Sequence, residues 1–351
     1  MENKKTTIHD IAKKLNTTAS TVSRALRDHP RISDSTKKLV FAMAEEMNYQ
    51  PNSIAAALRK GRSNLIGILV PTIDRNFFGS VVRGLEEVLT NSGYNVIISQ
   101  SNDSIEKEKL NIKALLEAQV DGIFASYAKE TTSFEHFDKI IKQGIPLIFF
   151  DRMQDSMKVD SVVIDDYKAG FKATEHLIEQ GCTRIAHFAG PGNVSIYRDR
   201  QAGYEDALKK YNLASDPSLI FKSDLKFESG QDLGERILNM PPLPDGIFSS
   251  SDYAAMGAME VLKKRGIKIP NQIAIVGFSN EAFTSLVNPA LTTVEQHSKK
   301  MGEEVAHLFL ERVNSKEPIF TFTKTVLPSE LIIRDSSIKS GSQHIGNNGN
   351  T

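Results

Sequence analysis

Thr18-Ala19-Ser20-Thr21-Val22-Ser23-Arg24-Ala25-Leu26 reads as one short helix. Thr18 is a good N-cap, and Val22, Ala25 and Leu26 fall at i, i+3 and i+4, the spacing of a single buried face. Ala19, Ser20, Ser23 and Arg24 are then left on the outward face. Small polar side chains permit close approach to another surface, and one arginine fork matches the two acceptors of a guanine edge. A major groove admits a helix of this kind.

The residues before and after supply its supports. Thr7 and Asp10 have the spacing of a capping box, followed by an apolar stripe of Ile8, Ile11, Ala12 and Leu15. Asn16-Thr17 makes the turn, asparagine tolerating a left-handed backbone better than most residues. Helix, tight turn and helix make a helix-turn-helix. Ser33 opens a third helix, with Leu39, Val40, Met43, Ala44 and Met47 along one side and Tyr49-Gln50-Pro51 at its end, because the residue before a proline is pushed out of helical geometry. Three such helices also suit an ordinary small bundle, so the rest of the stretch has to decide.

Asp10-Ile11-Ala12, Thr21 to Leu26, Asn48-Tyr49-Gln50-Pro51-Asn52 and Ala55-Ala56-Ala57-Leu58 together closely resemble the headpiece of the lactose-repressor (LacI) family of bacterial transcription regulators. The resemblance continues to about Arg334. It implies an all-α helix-turn-helix headpiece joined to an α/β two-lobed body of the periplasmic-binding-protein-like type I class, with parallel sheets. The expected divisions are a headpiece at 1–51, a hinge helix and linker at 52–64, a ligand-binding and dimerisation body at 65–335, and a disordered tail at 336–351. The implied partner is double-stranded operator DNA, read as an inverted repeat by a homodimer. Ala19, Ser20 and Arg24 would stand nearest the bases, Thr21 and Ser23 would meet phosphate, and Thr7 and Thr18 would also contact the DNA.

Formal net charge is zero over 351 residues, which by itself argues against a nucleic-acid partner. The distribution argues for one. Met1 to Leu65 holds twelve Lys and Arg against six Asp and Glu, so a cationic end is attached to an acidic body. The single cysteine, Cys182, excludes an internal disulfide and is expected to pack beside a helix end. No apolar run follows Met1-Glu2-Asn3-Lys4-Lys5, and nowhere do eighteen apolar residues stand together, so a soluble cytoplasmic protein without membrane contact is expected.

After Pro51, Asn52 caps a segment from Ser53 to Arg59 that is too short to be a stable helix alone. It suits a plain helical linker whose Leu58 finds an apolar neighbour. The resemblance implies more: paired hinge helices in which Asn52, Ala55, Leu58 and Arg59 meet DNA, with Leu58 wedged into the minor groove.

From Asn64 onward, apolar strands alternate with helices. Strands near 64–70, 94–99, 122–126, 146–151, 161–165, 184–189, 219–223, 246–250 and 273–278 imply parallel sheets covered on both faces. Two βα series dividing near Asp155 to Asp160 make two lobes, and the resemblance has the chain cross back between them near Leu291 to Val294 and in a strand from Lys324 to Ile333.

Ligands of such sheets sit beyond the carboxyl ends of the strands. That rule selects Asp74 to Phe78, Asp151-Arg152, Tyr197 to Arg200, Asp224-Leu225, Ser251-Asp252 and Ser279-Asn280. Phe77-Phe78 suits core packing as well as an aromatic platform, and Asp151-Arg152 suits a local ion pair. The family resemblance places Phe77, Phe78, Asp151, Arg152, Arg200, Leu225, Ser251, Asp252 and Ser279 around the effector, Arg200 standing three residues before Gly203 as the family arginine does. Many relatives carry an aspartate where this chain has Ser279, and an amide where it has Ser251. Loss of a cleft carboxylate with Arg200 kept favours an anionic effector, so sugar, sugar acid and sugar phosphate all stand as candidates.

Catalysis has little to rest on. Gly190-Pro191-Gly192 lacks the third glycine of a dinucleotide site, no G-x-S-x-G or P-loop pattern occurs, and the eight histidines have no metal-ligand spacing. No catalytic residue, cofactor or metal is implied. A second alternative, an exported sugar-binding protein, fits the body but not the basic headpiece.

Overall fold

The computed structural model describes residues 6–49, 62–315 and 321–340. They belong to two units, Met1–Ser63 and Asn64–Thr351.

In the first unit, α1 (Ile8–Lys14), α2 (Ala19–Ala25) and α3 (Asp34–Glu46) follow the sequence signals closely. Thr7 and Asp10 form a reciprocal capping box, Thr18 accepts from the Thr21 N–H, Ser33 accepts from Thr36, and Asn16 takes a left-handed φ of 49°. The core is Ile11, Ala12, Val22, Ala25, Val40 and Ala44. Two expectations are corrected. Ala19, expected on the outward face, packs partly against this core. Leu39, expected in the inward stripe, is 62% exposed, because Val40, Met43, Ala44 and Met47 already fill the inward arc and Leu39 lies about 100° round from Val40. Nor does α3 need Pro51 to end. Asn48 turns left-handed (φ 47°), and the Tyr49 N–H donates to the Ala44 carbonyl at 2.8 Å. Asn52, Ala55, Leu58 and Arg59 lie outside the described residues.

In the second unit, the first sheet has order β11-β5-β4-β3-β1-β2, all parallel. Its strands are β1 (Leu65–Val70), β2 (Asn95–Gln100), β3 (Gly122–Ala125), β4 (Leu147–Phe150), β5 (Asp160–Ile164) and β11 (Lys324–Leu327). The second sheet has order β12-β10-β9-β8-β6-β7, parallel except for β12 (Glu330–Ile332). Its other strands are β6 (Ile185–Ala189), β7 (Ile220–Lys222), β8 (Gly246–Ser249), β9 (Ala274–Phe278) and β10 (Thr292–Glu295). Helices cover both sheets: α4 (Asn76–Asn91), α5 (Ile105–Glu117) and α6 (Glu135–Lys142) on the first lobe, and α7 (Asp166–Glu179), α8 (Ser195–Lys210), α9 (Phe227–Leu238) and α10 (Asp252–Lys264) on the second. A further helix, α11 (Ser298–Asn314), returns to the first lobe and packs on α4. The α4–α11 crossing is so close that a Cβ at Gly84 would meet the Lys299 backbone, and one at Gly302 the Val81 backbone.

Three boundaries differ from expectation. The lobes divide at Asp165, after β5, because β5 pairs with β4 and β11 in the first sheet. The strand expected from Lys324 to Ile333 is two strands, one in each sheet. The polar segment after Asp335, expected to be disordered, is packed at Ser336 and Ser337, both fully buried. Its hydroxyls find acceptors: Ser336 Oγ donates to the Ile275 carbonyl at 2.6 Å, and Ser337 Oγ lies 2.7 Å from His176 Nε2 and 2.6 Å from Thr292 Oγ1. Cys182 follows α7 as expected, its Sγ 3.2 Å from the Asp245 carbonyl.

Candidate ligand cleft and DNA-reading helix

The carboxyl ends of the parallel strands face a cavity of about 510 Å³ between the lobes, within the range of small-molecule sites. Each lobe contributes the residues just past the ends of its strands. In the first, Asp151 comes directly after β4 with a left-handed φ of 61° and accepts from Ser126 Oγ at 3.2 Å. Burial raises its pKa despite the neighbouring Arg152 and Arg200. Arg152 donates through Nη1 to Asp103 Oδ1 (2.6 Å) and to the Tyr127 carbonyl (2.8 Å), while its buried Nε makes no hydrogen bond and lies 3.8 Å from Asp151 Oδ2 as a local ion pair. Asp103 is subject to burial, which would raise its pKa, but Arg152 and Lys129 win and hold it below the usual carboxylate range. Phe77 and Phe78 meet edge to face at 5.0 Å, and both line the cavity.

In the second lobe Arg200, on α8, is nearly satisfied from behind. Its Nε donates to Asp166 Oδ1 at 2.8 Å, Nη1 to the Ser250 carbonyl at 3.1 Å and Nη2 to Gln296 Oε1 at 3.4 Å, while its guanidinium stacks on Phe278 at 3.5 Å. Burial pushes Asp166 up to about 7 even with Arg200 against it. Gln296 continues the chain by donating to Ser279 Oγ at 3.1 Å, and Ser279 holds a φ of 114°. Leu225 is fully buried at the cavity wall with a φ of 62°, a conformation that costs a branched side chain energy and needs the surrounding packing to hold it.

Of the expected cleft residues, Phe77, Phe78, Asp151, Arg152, Arg200, Leu225, Ser251 and Ser279 all line this cavity. Asp252 does not. It begins α10 wholly buried, accepting from Thr293 Oγ1 at 2.6 Å and from the Glu281 N–H at 2.9 Å, and burial pushes it up to about 7. Its work is to fix the turn after β9. Residues that the sequence did not single out also line the cavity: Asp103, Lys129, Tyr253, Glu281 and Gln296 among them. The strand-end rule covers Asp103 and Lys129, which come after β2 and β3. Glu281 and Gln296 depend on where a turn and a crossing segment come to rest, which no local pattern shows.

Glu281 also changes the charge reading of the cleft. It stands two residues beyond Ser279, so a carboxylate is present after all, and it reaches the first lobe, accepting from the Asn76 N–H at 3.1 Å and from Phe77 at the start of α4. Beside it, the Arg75 guanidinium lies 3.9 Å over the Tyr253 ring and 3.5 Å from Ser251 Oγ. At the opposite rim Lys129 Nζ donates to the Asp224 carbonyl at 2.8 Å, Asn193 Nδ2 to the Lys129 carbonyl at 2.7 Å and Ser195 Oγ to the Met153 carbonyl at 3.1 Å. The segment bearing Lys129 is itself anchored by the buried Glu108, which accepts from the Ala128 N–H (2.6 Å), Thr131 Oγ1 (2.5 Å) and His136 Nε2 (2.8 Å).

On the first unit, Ser20 and Arg24 are exposed on α2, and Thr21 is half-buried, bonded to Thr18. Ser23 is engaged by Arg27, which donates from Nε to its carbonyl at 2.9 Å and from Nη2 to its Oγ at 3.0 Å. Thr7 Oγ1 donates to Asp10 at 2.7 Å. Arg24 thus offers an exposed guanidinium on a helix fixed at its N-terminus by Thr18.

Two family models match the chain: residues 7–52 match the bacterial regulatory proteins of the lacI family, and residues 63–328 match the periplasmic binding proteins and sugar binding domain of that family. The chain belongs to the LacI family. It is 34% identical over 333 residues to the ribose operon repressor of Halalkalibacterium halodurans, covering 95% of this chain and 97% of the relative. It is 30% identical over 334 residues to the transcriptional repressor CytR of Escherichia coli, covering 94% and 96%. Among solved structures it resembles the regulator CelR in complex with cellobiose (26% identity, TM-score 0.71, 95% of this chain and 100% of that one). The lac repressor dimer bound to operator shares its fold (24% identity, TM-score 0.82, with the same coverage). This LacI-family chain is accordingly a sequence-specific, ligand-responsive DNA-binding transcriptional regulator, and the headpiece match leaves no support for an exported binding protein.

Proposed function

We propose that this LacI-family regulator binds a pseudo-palindromic operator as a homodimer and represses carbohydrate-utilisation genes, with a polyhydroxylated effector held between the lobes of its body. Ser20 and Arg24 read base edges, the neighbouring Ala19 keeps that approach close by its small size, and Thr7, Thr18, Thr21 and Ser23 position the helix on phosphate. Asn52, Ala55, Leu58 and Arg59 act at the operator centre. In the cleft, Asp151, Arg152, Arg200, Ser251 and Ser279 hold the effector's polar edges, and Phe77, Phe78 and Leu225 cover its apolar face. The chain acts without catalysis and in the cytoplasm. Among the described residues, no helix is long and apolar enough to cross a membrane.

One observation supports this most strongly: the two family-matched parts are joined in one chain, and the cleft of the second has strand-end aspartate, arginine and aromatic side chains facing one cavity. The test is selection of bound DNA from a random library by the full-length protein, with and without mixtures of neutral sugars, sugar acids and sugar phosphates. An enriched inverted repeat whose recovery changes with one mixture is the expected result. No enriched sequence under any condition would sink the reading.

A further inference from the structure

We propose that Glu281 sets the charge of the ligand: its carboxylate, lodged from the second lobe against the backbone N–H groups that open α4 in the first, fills the place an anionic ligand group would take, so the cleft selects uncharged polyhydroxylated molecules. The inference rests on the reading of the cleft as the effector site and narrows it.

Three observations carry it. The first is the capping itself. Asn76 and Phe77 present the unsatisfied N–H groups of a 16-residue helix to the cleft, the natural seat of a phosphate or carboxylate, and Glu281 already occupies them. Glu281 is 4% exposed and its own N–H is tied to Asp252, so it is held in place from both ends.

The second is the charge inventory. Arg75, Lys129, Arg152, Arg200 and Lys226 line the cavity against Asp74, Asp103, Asp151, Glu228 and Glu281, five of each sign. Arg152 and Lys129 share Asp103, Arg200 is paired from behind with Asp166, and Lys226 with Asp224. Arg75 is the remaining cation, stacked on Tyr253 in the field of Glu281, so an anion drawn to it meets that carboxylate at the helix end.

The third is what remains unsatisfied. Arg152 Nε, a donor whose nearest carboxylate is Asp151 at 3.8 Å, and Ser250 Oγ, which donates or accepts, are buried without a hydrogen-bond partner in residues lining the same cavity. Hydroxyl groups, which do both, satisfy such a pair without bringing charge.

Inorganic phosphate is the direct probe, because it tests Glu281 without knowledge of the effector. Full-length wild type, Glu281→Ala and Glu281→Gln are compared by thermal unfolding and calorimetric titration with phosphate, then with glucose, ribose, gluconate and glucose 6-phosphate. The glutamine variant keeps the side-chain volume and removes only the charge, so it stands in if the alanine variant does not fold. Phosphate should leave the wild type unaffected and bind the variants at least about tenfold more tightly, the scale of one relieved charge repulsion of about 1.4 kcal/mol. Gluconate and glucose 6-phosphate should gain in the same direction, and neutral sugars should not. Wild-type binding of any of these anions as tight as that of the variants overturns the proposal, as do folded variants with unchanged phosphate affinity. Failure of the underlying reading shows elsewhere: operator affinity that responds to no neutral sugar counts against the sugar cleft and leaves the phosphate result standing.

Discussion

The two functional regions of this chain are built from opposite materials. The headpiece carries its chemistry on the surface, in hydroxyls and guanidinium groups held by local bonds: Thr18 to Thr21, Thr7 to Asp10, Arg27 to Ser23. The cleft carries its chemistry inside, in buried carboxylates and guanidinium groups whose partners are tens to hundreds of residues away, as Arg152 is from Asp103 and Asn76 from Glu281. Surface charge is inexpensive and contributes little to stability, whereas buried charge must be satisfied. Substitutions should therefore uncouple function from stability in the headpiece and couple them in the body.

The largest expected effect is in the body. Glu108→Ala leaves three buried donors unpaired beneath the segment that carries Lys129, at about 1–3 kcal/mol each. Chemical unfolding should show a loss of several kcal/mol, and a loss under about 1 kcal/mol would break the contrast. In the headpiece, Arg24→Ala should cost about 1–3 kcal/mol of specific DNA binding and relax one base position. Its unfolding midpoint should not move, and an unchanged base preference would count against its assignment.

A pH effect of intermediate size separates the regions further. Burial lowers His187 to about 3, where it stacks between Tyr204 and Phe248. A histidine depressed in the folded state contributes stability above its unfolded pKa near 6.5, and that stability is lost as pH falls from there toward 3. Asp166 and Asp252, both raised to about 7, act in the other direction, losing stability as pH rises from about 4 to 7. The informative quantity is thus a difference between proteins. Relative to wild type, His187→Phe should gain up to about 1.4 kcal/mol per pH unit on acidification below 6.5. Parallel stability curves would remove His187 as a cause. The smallest effect belongs to Thr18→Ala, about 1 kcal/mol of headpiece stability from one lost cap, read by circular dichroism melting of the full chain.

The same contrast explains what could be read in the sequence. Capping and turn signals act over three or four residues, so Thr7, Asn16, Thr18 and Ser33 were legible one at a time. The strands were legible from their apolar runs, and the ends of most pointed at the cleft. What remained hidden was non-local. Nothing in Val162-Val163 tells which lobe β5 joins, since β11, over 150 residues later, is its partner. Ser336 and Ser337 look like tail until the carbonyl of Ile275 and the imidazole of His176 are found beside them. The family pattern drew attention to a missing aspartate at Ser279, whereas the carboxylate present stands two residues along the same turn, at Glu281, and bonds to the other lobe.

The lobes are joined by three very short passages: Asp165 between β5 and α7, two residues between β10 and α11, and two between β11 and β12. Mechanically, these are three pins with almost no slack. Sliding one lobe over the other would have to stretch a passage, and rotation about the pins is the motion that spares all three. Arg200 grips two of them, through Asp166 beside the first and Gln296 within the second. A ligand that pulls on this one guanidinium therefore works like a hand on a crank, turning a small displacement at the axle into a larger sweep at the lobes' far ends.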